Sequence, residues 1–81
     1  MSTSAIRDHS LPTATHVQFT EHEIVVLLSD GRTVSAPLEW FPRLRDANRT
    51  QLENWRLIGG GVGIHWEDLD EDISVSVLLA G

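Results

Sequence analysis

The sequence predicts a small α+β domain, with a three-stranded antiparallel meander in its N-terminal half, a second hairpin in its C-terminal half, and two or three short helices. Three observations carry this expectation. Apolar alternation and a β-branched run occupy residues 15–38. Glycine-bearing turns stand at Asp30-Gly31 and at Gly59-Gly60-Gly61. Proline and capping residues fall where short helices would begin.

Residues 1–14 are rich in Ser, Thr and Ala, carry Pro12 and show no periodicity, which predicts a flexible tail ahead of one domain over residues 15–81. In residues 15–20, Val17 and Phe19 alternate with polar residues, as in a half-buried strand, and Glu21-His22 follows as a turn. Residues 23–29 hold Ile24, Val25, Val26, Leu27 and Leu28 without a polar break, so this strand is expected at the sheet centre and covered on both faces. Asp30-Gly31 supplies a hairpin turn, because glycine tolerates positive φ. Val34, Ala36 and Leu38 then resume the alternation.

Pro37 and Pro42 bracket Leu38-Glu39-Trp40-Phe41, so a helix is expected to restart at Pro42, with Trp40 and Leu44 sharing a buried face. Thr50-Gln51-Leu52-Glu53 has the spacing of a capping box and predicts a helical turn through Asn54. Residues 55–58 and 62–66 flank the three glycines as a hairpin, with Val62, Ile64 and Trp66 on one face and Gly63 and His65 on the other. Residues 67–72 form an acidic turn, after which Ser74 or Asp72 caps a last short helix carrying Val77, Leu78 and Leu79 and ended by Gly81.

Composition narrows the function classes. A chain of 81 residues supports one core, since a domain this small buries only about 60% of its unfolded surface. Apolar residues make up 41% of it, including three Trp, which is enough to fold. The absence of cysteine excludes disulfides, thiolate zinc sites and a thiol nucleophile. No apolar run reaches the roughly 18–20 residues of a membrane span, and the first residues lack the apolar core of a secretion signal, so a cytoplasmic location is expected. Six Arg and no Lys stand against twelve Asp and Glu, for a net charge of −6. That sign opposes direct nucleic-acid binding through phosphates and suits a basic protein partner.

Trp40-Phe41-Pro42-Arg43-Leu44, Trp55-Arg56-Leu57-Ile58-Gly59, Gly63-Ile64-His65-Trp66 and Leu69-Asp70-Glu71-Asp72-Ile73-Ser74 together resemble the bacterial family catalogued as domain of unknown function 2442. The likeness runs over residues 15–81, and its most specific stretch is the C-terminal series of Trp, acidic turn, Asp-Ile-Ser and Leu-Leu. It implies a small α+β domain found alone or fused to a helix-turn-helix, often beside a gene for another small protein in arrangements that look like toxin and antitoxin pairs. It implies no established enzymatic activity. Family members usually follow the tryptophan at position 66 with proline; Glu67 stands there in this chain, which predicts a looser and more negative turn. No helix-turn-helix is visible, so a DNA-regulating role is not carried over.

The most conspicuous polar feature is the run Glu67, Asp68, Asp70, Glu71 and Asp72. Asp68-x-Asp70-x-Asp72 opens like a calcium loop, but Ile73 stands where glycine is needed and no Glu occupies the twelfth position. His9, His16, His22 and His65 show no helical i, i+4 pairing, so no metal or cofactor site is assigned. His65 beside Asp68 offers an acid-base pair without a nameable nucleophile, so no catalytic residue is assigned either. Gly59-Gly60-Gly61-Val62-Gly63 lacks the Lys and Ser/Thr of a phosphate loop and reads as a turn. Trp40 and Trp66 are expected in the core, with Trp55 the least determined of the three.

The candidate partner-binding residues are therefore Glu67, Asp68, Asp70 and Glu71, with Trp55 and Arg56 beside them. The functional expectation is a non-enzymatic binding or regulatory module, antitoxin-like, for a small basic protein encoded nearby. Two alternatives stand beside it. One is an acidic phage-type inhibitor that mimics nucleic acid; the other is a homodimeric structural domain, since one face of the apolar strand could be covered by a second copy.

Overall fold

The computed structural model describes residues 11–80. Residues 1–10 and Gly81 lie outside the described residues, and with them most of the expected tail and the helix-ending glycine. The first strand begins at Ala14, one residue ahead of the expected strand start. Thr13 accepts from the Ser29 amide, and Ala14 is a buried residue of the first strand.

The chain folds as β1 (Ala14–Phe19), β2 (Glu23–Leu28), β3 (Thr33–Pro37), a 3-10 turn (Leu38–Trp40), α1 (Pro42–Arg45), α2 (Arg49–Glu53), β4 (Trp55–Ile58), a 3-10 turn over the glycines (Gly59–Gly61), β5 (Gly63–Trp66), a 3-10 turn (Glu67–Leu69), β6 (Glu71–Ser74) and α3 (Val75–Ala80). Two three-stranded antiparallel sheets result, ordered β1-β2-β3 and β4-β5-β6. The α+β class and the N-terminal meander are as expected, and β2 is the central strand of its sheet.

The two sheets share one core. Ala14, Val17, Ile24, Val26, Leu28 and Ala36 come from the first sheet, and Ile64, Trp66 and Ile73 from the second. Leu38, Phe41 and Leu44 close one side, while Val75 and Leu78 of α3 close another. Phe19 meets Trp66 edge to face across the layers, with centroids 6.3 Å apart. Each fully buried aliphatic or aromatic side chain contributes about 1.5–3 kcal/mol by leaving water, so this cluster supplies the main driving force.

Five expectations are corrected. Strand β2 is fully covered on one face only: Ile24, Val26 and Leu28 are buried, whereas Val25 and Leu27 are half-buried between Gln18, His16, Ser35 and Thr33 of the neighbouring strands. Trp40 does not share the buried face of Leu44; it is 50% exposed, and Phe41 enters the core instead. The physical reason is the 3-10 turn ahead of Pro42, which breaks the i, i+4 relation on which the pairing rested.

The capping box exists two residues earlier than its sequence spacing suggested. Asn48 is the N-cap, accepting from the Gln51 amide at 2.8 Å, and the Gln51 side chain accepts from the Asn48 amide at 3.1 Å. The C-terminal hairpin, finally, has a third strand. Residues 71–74, expected within the acidic turn and helix cap, form β6 against β5. Val62, expected on the face of Ile64 and Trp66, precedes β5 in a helical conformation and is exposed.

Candidate functional site: the acidic turn and the polar face of the second sheet

Alternation in the second sheet sends Leu57, Ile64 and Ile73 to the core. It aligns Arg56, His65 and Asp72 in one row across β4, β5 and β6 on the opposite face. The turn Glu67–Leu69 returns the chain from β5 to β6 and ends at Asp70, the described non-glycine residue with positive φ, at +51°. Asp tolerates this left-handed conformation better than most residues, which lets so tight an acidic turn close.

The acidic side chains are largely engaged. Glu67 pairs with Arg56 at 3.2 Å and with His65 Nε2 at 3.3 Å. His65 Nδ1 is hydrogen-bonded to Asp72. Asn54 Nδ2 donates to Asp68 at 3.1 Å. Arg43, reaching over from α1, donates to the Asp70 carbonyl at 2.6 Å and lies 4.0 Å from Glu71. Of the five carboxylates, Glu67, Asp68, Glu71 and Asp72 have side-chain partners, and the two guanidinium groups and one imidazole among these leave the turn negative. Glu67 and Asp72 remain about two-thirds exposed, so solvent screens these pairs and they serve mainly to orient the turn.

His65 is the electrostatic centre of the row. The hydrogen bond to Asp72 holds its pKa above the ordinary imidazole value; burial opposes this, the charges of Asp72 and Glu67 add to it, and Arg56 opposes it. Its partners are Asp72 and Glu67, not Asp68 as the sequence spacing proposed. Asp72, though named in the acidic run, was not among the candidate contact residues, and neither were Arg43 and Asn54. Asp72 was recoverable only by recognising β6, whose register puts it opposite His65.

Of the six predicted contact residues, Glu67, Asp68, Asp70, Glu71 and Arg56 gather around this turn. Trp55 does not. It points to the other face of β4, half-buried, with its ring edge-on to His16 at 5.4 Å. Among the described residues no group of three His, Asp or Glu side chains is disposed to hold a metal ion, and no helix is long and apolar enough to cross a membrane.

Two packed three-stranded sheets with short helices and a polar, acid-edged outer face define a small α+β domain. The family model described as protein of unknown function (DUF2442) matches residues 14–81, and the chain belongs to that family. It is similar to a protein of unknown function from Rhodospirillum rubrum, with 32% identity over 89% of each chain and a TM-score of 0.76. It is also similar to an uncharacterised protein from Chromobacterium violaceum, with 26% identity over 94% of this chain and 71% of that one and a TM-score of 0.73. No curated protein matches the chain.

Proposed function

We propose that the domain is a non-enzymatic binding module that holds a small basic protein on its acidic turn, as an antitoxin-like partner would. The observation that carries this reading is the excess of exposed carboxylate on one short turn and the strand that follows it, at Glu67, Asp68, Asp70 and Asp72, in a chain of net charge −6. Arg56, Arg43 and Asn54 tie the turn down, so its negative surface is presented in one geometry at little ordering cost. Such a surface speeds encounter with an Arg- or Lys-rich partner and selects against acidic ones.

The test is an affinity pull-down with tagged protein from its native host, with the product of the adjacent gene included, followed by mass spectrometry and sizing. A stoichiometric basic protein is expected. A D68K/D70K variant is expected to lose it while remaining folded. Recovery of no stoichiometric partner would overturn the reading.

A further inference from the structure

The turn between β2 and β3 is built on Asp30-Gly31. The Gly31 amide donates to the Leu28 carbonyl at 3.1 Å and the Leu28 amide to the Arg32 carbonyl at 2.8 Å, while Gly31 has a φ of +91°. These features make a three-residue hairpin loop, a tight turn completed by a glycine in the left-handed region. The whole turn is exposed, and nothing stands where a Cβ of Gly31 would be. Arg32 folds back over it. Its amide donates to Asp30 Oδ1 at 3.0 Å and its Nε to Oδ2 at 2.7 Å, so one residue holds both carboxylate oxygens.

An Asp-Gly peptide carries a reaction of its own. The glycine nitrogen loses its proton and attacks the aspartyl Cγ; the new C–N bond forms, one carboxyl oxygen leaves as water, and a five-membered succinimide results. Water then opens the ring at either carbonyl. One opening restores aspartate, and the other leaves isoaspartate, whose main chain runs through the former side chain and is one methylene longer. The water lost equals the water regained, and no oxidant, reductant or cofactor takes part. Glycine favours the attack because it has no Cβ to shield its nitrogen. The neutral carboxylic acid is the reactive form, since a carboxylate oxygen is a poor leaving group.

The turn opposes each requirement. The Gly31 N–H is engaged by the Leu28 carbonyl, and the oxygen that must leave is held by Arg32 whichever of the two it is. The hydrogen bond from the Arg32 amide lowers the Asp30 pKa; burial opposes this and the Arg32 side chain adds to it, so the neutral acid is scarce. We infer that Asp30-Gly31 is an isoaspartate-forming site that Arg32 keeps unreactive by clasping both carboxylate oxygens across the hairpin turn. Where the clasp opens, the added methylene lengthens the loop that sets the register of β2 against β3. The site lies in the first sheet and draws on nothing in the proposed function.

The experiment ages the full chain and its Arg32→Ala and Arg32→Lys variants near neutral pH and follows isoaspartate at position 30 by peptide mapping and tandem mass spectrometry. Both variants lack the Nε donor, and the exposure of the Arg32 side chain lets them fold, which circular dichroism checks. Folded Arg32→Ala is expected to form isoaspartate about three- to fivefold faster than the native chain, the range that loss of an exposed ion pair allows, and Arg32→Lys to be faster as well. In urea that unfolds all three, the rates are expected to rise and to become equal. The inference is overturned if neither folded variant is faster than the native chain, if the difference persists in urea, or if the folded native chain reacts as fast as the unfolded one.

Discussion

Gly61 carries the sharpest single-residue constraint. Its φ is +100°, and a Cβ there would lie 2.6 Å from the Ala14 carbonyl oxygen and 2.9 Å from Thr13 Cβ, where the glycine turn packs against the start of β1. Gly60 shares a positive φ, at +70°, but a Cβ there meets open space. Gly61→Ala is therefore expected to cost about 3 kcal/mol, combining backbone strain with the clash, and Gly60→Ala about 1 kcal/mol; urea unfolding of the two variants separates them. The turn itself was legible from the glycine run. The unequal cost was not, because the group that Gly61 touches lies nearly fifty residues away in sequence.

His65 gives the residue-scale prediction in pH. Its folded-state pKa is raised by Asp72, so its contribution to stability is fully present below the unfolded value of about 6.5 and is lost as pH rises through the folded value. Urea midpoints are expected to fall as pH is raised from about 6 through that range. A His65→Gln variant is expected to remove that part of the fall, and NMR titration of the imidazole reads the pKa directly. A flat profile in the native protein would refute the clasp between Asp72 and Glu67.

At the scale of elements, short helices depend on their ends, because a helix of five residues has almost no internal hydrogen bonds to hold it. Asn48 and Gln51 satisfy both sides of the capping box of α2, so Asn48→Ala is expected to cost about 1 kcal/mol. Thr50→Ala, at the residue the sequence pattern favoured, is expected to fall within about 0.5 kcal/mol of the native protein. Thermal unfolding of both variants decides between the two registers. The sequence reading placed one capping signature, at Thr50, although Asn48 and Gln51 stand at the same spacing; packing selects the latter, since the Leu52 carbonyl accepts from Trp66 Nε1 at 3.0 Å, which fixes the rotation of α2. Ser74, by contrast, was legible as a cap, and its Oγ accepts from the Val77 amide at 3.3 Å. Strand β6 was hidden because Glu71 and Asp72 have poor strand propensity; its pairing is set by β5 and by the ion pairs of its acidic residues, a tertiary effect.

Across the whole molecule, one core serves both sheets, and Trp66 sits at its centre with no exposed surface and its ring nitrogen satisfied. A domain of 81 residues has a total stability of about 4–12 kcal/mol, and Trp66→Ala is expected to remove about 3–5 kcal/mol of it. Loss of near-ultraviolet circular dichroism at 25 °C, or a much lower melting temperature, would register this. The meander, the central place of β2 and the burial of Trp66 followed from alternation and β-branched content. The exposure of Trp40 did not, since a proline-interrupted segment has no periodicity to read. The acidic turn was legible as a charged feature, but its orientation by Arg56, His65, Asn54 and Arg43 arises only when β4, β5, α1 and the segment after α2 come together.

That oriented negative surface is the centre of the functional account, and sizing of a purified complex tests it most directly. Tagged protein is used to recover a partner from the native host, and the same capture is repeated with D68K/D70K and at raised salt. The account predicts a stoichiometric basic protein whose association weakens with salt, as a charge-steered encounter must, and is lost in the variant. A partner that binds the variant as tightly as the native chain, or no stoichiometric partner at all, would contradict it.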